Sequence, residues 1–189
     1  MDEQTKSPDT AAQYDKVLAE CKALFQKKFD DYGASWRVMR PTAVTDQIYI
    51  KAQRIRSIQE KGQSLVNEGI RCEFIAIVNY GIMGLVQLEH GYSNAPEQDH
   101  QTLIKWYNEY VAKARRLMLS KNHDYGEAWR SMRISSLTDI ILQKIYRTKQ
   151  IEDNRGAVSV SEGIDANYLD MINYAAFAVI RLDEGAAES

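Results

Sequence analysis

Apolar residues recur along most of this chain at helical rather than strand spacing. The clearest case is 161–184, where Ile164, Tyr168, Met171, Ala175, Ala178, Val179 and Leu182 line one face of a predicted helix. Similar segments are expected at 13–29, 44–60, 68–89, 102–121 and 137–152. An Asp-Tyr-Gly turn closes the first and fourth of these, because Gly33 and Gly126 can take the left-handed conformation that ends a helix. Thr45 and Thr138, or Ser135 and Ser136 just before the latter, are candidate N-caps, and Ser161 is one for the last helix. The most apolar run, 72–88, contains Glu73, Asn79 and Gln87, which argues for a buried helix rather than a membrane span.

The segments form two sets of three. KKFDDYGASWRVMR at 27–40 matches SKNHDYGEAWRSMR at 120–133 without a gap, so the second copy follows the first by about 93 positions. Upstream, Tyr14 pairs with Tyr107; downstream, Lys51 pairs with Lys144 and Arg54 with Arg147. After one inserted residue near Val158, Glu68-Gly69-Ile70 pairs with Glu162-Gly163-Ile164 and Asn79-Tyr80 with Asn173-Tyr174. The expected fold is therefore all-α, with two tandem three-helix repeats packed as a pseudo-twofold bundle. Residues 1–12 and 185–189 read as flexible tails, 13–89 as the first repeat, 102–184 as the second, and 90–101, rich in Gly, Pro, Asn and charge, as the linker.

Composition narrows the partners. A formal net charge of -2 over 189 residues supplies no basic field for polymeric nucleic acid, whose capture rests on clustered Lys and Arg. The first thirteen residues lack the apolar stretch of a secretion signal, and neither they nor 72–88 suggest a membrane partner, so a cytoplasmic location is expected. Cys21 and Cys72 have no CxxC or His partner and are expected to be buried thiols in a reducing compartment. No Gly-rich phosphate loop, nucleophile elbow or HExxH helix occurs. Further association into a homodimer is left open.

Candidate chemistry concentrates in the second repeat. Glu162, Asp165, Asp170 and Asn173 fall within roughly 140° of one another, opposite the apolar face of the last helix, at about 100° per residue. Such a face is either plainly solvated or a source of oxygen ligands. In the second case Glu162, Asp165 and Asp170 are candidate catalytic and metal residues for Mg²⁺, with Lys144 and Arg147 on the preceding helix neutralising phosphate. Surface ion pairing of Lys144 and Arg147 with nearby acids is the plainer alternative. Around the turn, Lys121 and His123 are candidate phosphate contacts and Asp124 a candidate acceptor from base or ribose. Tyr125 and Trp129 either stack on a base or pack beneath the turn, while Asp124 could instead cap the next segment. The first repeat has Phe29 and Asp30 where the second has Asn122 and His123, and Arg71 and Ala76 where it has Asp165 and Asp170.

KNHDYGEAW, a basic helix and then E-x-x-D-x-x-x-x-D-x-x-N-Y, here Glu162, Asp165, Asp170, Asn173 and Tyr174, resemble the nucleotide modification associated domain 1 family. It is a family of unknown function, and the resemblance implies a link to nucleotide metabolism or base modification. Both repeats fall within it, the first departing at Arg71 and Ala76. Glu162 and Asp165 are also distantly similar to the E-x-x-D helix of all-helical nucleoside triphosphate pyrophosphohydrolases of the MazG and dimeric dUTPase type, although their E-E-x-x-E half is missing. Two functional readings follow: a Mg²⁺-dependent, pyrophosphohydrolase-like enzyme acting on a small nucleotide, or a nucleotide sensor or accessory module without turnover. A helical scaffold is the third.

Overall fold

The computed structural model describes residues 9–62, 69–96, 99–159 and 162–188. It is an all-α bundle of six helices: α1 (Thr10–Tyr32), α2 (Pro41–Lys61), α3 (Ile70–His90), α4 (His100–Tyr125), α5 (Ile134–Asp153) and α6 (Ile164–Asp183). A short 3₁₀ turn, Ser35–Val38 or Ala128–Ser131, joins the first two helices of each repeat. All six predicted helices are present, and α1 begins inside the stretch expected to be a tail.

The boundaries of α2 and α5 correct the capping expectation. Both helices start before the threonines, after Arg40 and Arg133, and neither has a side-chain cap. Pro41, at the first position of α2, has its φ already set for a helix and lacks the N–H that would go unpaired. Thr45 and Thr138 sit one turn in, buried, and their hydroxyls donate to the carbonyls of Pro41 and Ile134 at 3.3 and 3.1 Å. The proposed cap Ser161 lies outside the described residues; Gly163 precedes α6. Gly33 and Gly126 do take positive φ, 66° and 57°.

The axis of the bundle is the α3–α6 pair, with α2 and α5 packed on one side and α1 and α4 crossing the other. α3 is long and apolar enough to cross a membrane, yet 67% of its apolar window is buried among the other helices, as expected of a core helix. Close approach is possible because α3 is glycine at the crossing: a Cβ on Gly84 would stand 2.8 Å from the Tyr168 ring and one on Gly81 2.6 Å from Ile172. Of the two cysteines, Cys21 is buried as expected, but Cys72 is exposed on the first turn of α3.

The repeats are interlocked by polar groups. Tyr14 of the first repeat donates to Asn173 Oδ1 of the second at 2.7 Å, and Tyr107 of the second donates to Asn79 Oδ1 of the first at 2.8 Å. Each asparagine also donates to a carbonyl in its own repeat, Asn79 to Cys21 and Asn173 to Ala114. All four side chains are buried, where each satisfied hydrogen bond is worth about 1 kcal/mol and an orphaned partner would be more damaging. Burial pushes the ionisation of Tyr14 and Tyr107 well above the usual phenol range, so both remain hydroxyl donors.

Candidate functional site

The turn that follows α4 builds one wall of a cavity. Gly126 and then Glu127, with φ 57° and 60°, both take the left-handed conformation, which a non-glycine residue adopts only when its surroundings hold it. Those surroundings are Asn122, which donates to Glu127 Oε1 at 3.0 Å, Arg130, which donates to Oε2 at 3.1 Å, and the Thr10 hydroxyl from the first repeat. Burial raises the pKa of Glu127, but these hydrogen bonds outweigh it and hold the carboxyl below its usual range. The reversal swings Trp129 inward, where its ring stacks on Phe177 of α6 at 4.1 Å between centroids and 4° between planes. Its indole N–H donates to Asn122 Oδ1 at 2.9 Å, and the Arg130 guanidinium lies 4.4 Å above its ring. At the end of the turn, Arg181 on α6 donates to the Met132 carbonyl, as Gln87 on α3 does to Met39 in the first repeat.

Between this turn, α4 and α6 lies a cavity of about 180 Å³, walled by Met118, Tyr125, Trp129, Met132, Tyr174 and Phe177, with Lys121, Asn122, Asp170 and Asn173 as polar members of the lining. The α6 acids do not share a solvated face. Asp170 is buried against α4 and α5, because α6 is the central helix and nearly every side of it is covered from Asn167 to Ile180. Each Asp170 oxygen receives one ammonium: Lys121 from α4 at 2.6 Å and Lys144 from α5 at 2.8 Å. The Asp170 and Lys144 side chains are only 10% and 12% exposed, so this pair is held with little solvent screening. Desolvation pulls the Lys121 pKa down, yet the hydrogen bond and charge of Asp170 win and leave it raised. The Tyr174 hydroxyl is also pushed up, by burial first and by the Asp170 charge second.

The candidates of the second repeat thus separate into groups. Lys121, Tyr125, Asp170 and Asn173 line the cavity. Lys144 lies behind Asp170 and connects at 3.9 Å to Glu162, which is paired with Arg147 at 2.6 Å. His123 and Asp124 are exposed beside the turn, 3.1 Å from each other and outside the cavity lining; Asp124 caps nothing. Asp165 is directed elsewhere, 3.9 Å from Lys113. Of the two turn aromatics, Trp129 packs beneath the turn, whereas Tyr125 is 73% exposed at the cavity rim. Asn173 has both amide atoms committed to Tyr14 and Ala114.

Glu162, Asp165 and Asp170 do not fit a protein-held Mg²⁺. Among the described residues no three His, Cys, Asp or Glu side chains stand where they could share an ion: Glu162 and Asp170 both reach Lys144, while Asp165 faces Lys113. Sequence reasoning did not single out Met118, Tyr174, Phe177 or Glu127 as site residues. The available signal was the comparison of repeats, since Glu127 stands against Ala34 and Phe177 against Met83.

The first repeat holds the equivalent cavity, about 240 Å³, between the end of α1, its turn and α3. Its polar lining is different. Ala76 stands where Asp170 does, and the acid is one turn earlier, at Glu73, where both Lys51 (3.2 Å) and Arg54 pair with it.

Fold and cavities together define a duplicated all-α bundle with an equivalent cavity in each repeat. The chain belongs to the nucleotide modification associated domain 1 family, a domain of unknown function, whose model matches residues 28–88 and 121–182. One matched segment falls in each repeat, consistent with a tandem duplication. No curated protein and no solved structure gave a match, and the likeness to MazG-type pyrophosphohydrolases has no support from these comparisons.

Proposed function

We propose that the second repeat binds a small nucleotide, or its nucleoside part, in the cavity between α4, the turn and α6, and acts as a binding module. One observation carries this reading: a carboxylate clamped between two ammonium groups at the edge of an aromatic cavity. Lys121 and Lys144 hold the Asp170 carboxyl in place, so its oxygens can accept from the exocyclic amine or ring N–H of a base, as carboxylates accept from cytosine N4 elsewhere. Tyr125 and Tyr174 supply ring surface, for which base stacking contributes about 1–3 kcal/mol. Lys121, half exposed, is the group placed to meet a phosphate at the mouth.

Isothermal titration of the full chain with nucleosides, nucleoside monophosphates and triphosphates, with and without Mg²⁺, tests this, alongside an assay for phosphate and pyrophosphate release. Saturable binding without release, lost in Asp170→Ala and weakened in Lys121→Met, is the expected result. Mg²⁺-dependent release abolished by Asp170→Asn would replace the binding module with a hydrolase. Absence of any nucleotide binding would overturn both.

A further inference from the structure

We propose that the cavity of the first repeat is a second ligand site, and that it takes a flat aromatic compound carrying a negative charge. This inference does not depend on what the second repeat binds. The cavity, about 240 Å³, is walled by Phe25, Phe29, Tyr32, Trp36 and Met83, and Lys28 is the single charged residue in its lining. In the second repeat the equivalent lysine, Lys121, is neutralised by Asp170. Here that position is Ala76, and the nearest acid on α3, Glu73, is already taken by Lys51 and Arg54. Lys28 has no acidic partner among the described residues. Phe29 also replaces Asn122, so the amide of the second cavity gives way to a ring. The remaining lining amide, Asn79, is occupied by Tyr107 and the Cys21 carbonyl.

The two linings therefore differ in net charge: Lys28 stands alone in the first, while Lys121 is paired with Asp170 in the second. A ligand anion entering the second meets a lysine already paired with a buried carboxylate, whereas one entering the first meets an ammonium with no ion-pair partner among the described residues. The apolar walls stabilise any flat ring by removing it from water. Selection for charge falls to Lys28, through a charge-assisted hydrogen bond to carboxylate or phosphate oxygen.

Calorimetric titration of the full chain with 1-naphthoate and with 1-naphthyl phosphate distinguishes the two anion types, with 1-naphthamide and 1-naphthol as neutral counterparts. At least one anion is expected to saturate a single site and to bind more tightly than its neutral counterpart. Lys28→Met should weaken that anion roughly ten-fold, the size of one charge-assisted contact, and leave the neutral compound unchanged. Ala76→Asp, which installs the acid of the second repeat, should weaken it likewise, and Lys121→Met should not. If neither anion binds, if the neutral compounds bind as tightly, or if the loss follows Lys121→Met instead of Lys28→Met, the proposal fails.

Discussion

The two repeats share a backbone plan and diverge in where each puts one acid. In the first, the carboxylate sits at Glu73, where it meets Lys51 and Arg54 of α2 and remains apart from the cavity. In the second, it sits one turn further along the last helix, at Asp170, where it meets Lys144 of α5 and Lys121 of α4 at the cavity edge. One helical turn is about 5.4 Å, enough to move a charge from a structural ion pair to the wall of a cavity. Duplicated scaffolds can thus change the chemistry of a site while preserving the packing that makes it.

The sharpest test of this contrast is to remove the equivalent lysines. Lys144→Met leaves Asp170, nearly buried, with only the half-exposed Lys121, and is expected to destabilise the protein by about 3 kcal/mol in urea denaturation. Lys51→Met leaves Glu73 with Arg54 and should be milder, at about 1 kcal/mol. Equal losses would break the comparison.

Next in size is the helix crossing, where the first repeat has Gly84 and the second Ala178. Gly84→Ala presses a methyl into the Tyr168 ring, and that ring cannot swing away freely because its hydroxyl lies 2.5 Å from Thr45 Oγ1 and 3.2 Å from the Pro41 carbonyl. A destabilisation of about 2 kcal/mol is expected, against about 1 kcal/mol for Ala178→Gly; a thermal-unfolding midpoint at or above the wild-type value for Gly84→Ala would contradict the geometry.

The interlocking asparagines should behave alike. Asn79→Ala and Asn173→Ala each orphan a buried tyrosine hydroxyl and a carbonyl, and each should lose about 2 kcal/mol. A difference above about 1 kcal/mol between them would show that the pseudo-twofold is geometric without being energetic.

The smallest effect concerns pH. The Glu127 carboxyl, held below its usual 4.5, favours the folded state above that value, and this contribution is lost as pH falls through its lowered folded pKa. Glu152, half buried against Thr45, is raised by that burial and has the opposite sign, losing its contribution as pH rises above 4.5. Urea midpoints measured between pH 3 and 6 should therefore fall less steeply toward acid in Glu127→Gln than in the wild type. The same acid sensitivity in both would remove Glu127 from the account. The first repeat, with Ala34 at that position, has no equivalent group.

Much of this fold was legible because it is written twice. Helical periodicity placed all six helices, and the matching Asp-Tyr-Gly and Asn-Tyr motifs placed the pseudo-twofold. The helix starts were misplaced because a threonine before an apolar run resembles a cap, while the deciding facts were a proline four positions earlier in α2 and, in both helices, a carbonyl one turn back. The acidic set was only partly legible. Spacing put Glu162, Asp165 and Asp170 on one side of a helix, but it could not say that α4 and α5 would cover that side at Asp170 and leave Asp165 and Glu162 outside.

By itself, then, the sequence determined the helices, their duplication and the repeat in which the chemistry differs, since these follow from local periodicity and from comparing one copy with the other. Only the tertiary structure decided that Asn173 binds the repeats together, that Asp170 rests between two lysines, and that each repeat encloses a cavity. Those outcomes depend on which side chains of distant helices meet. Helical spacing fixes angles about one axis and carries no information about a second.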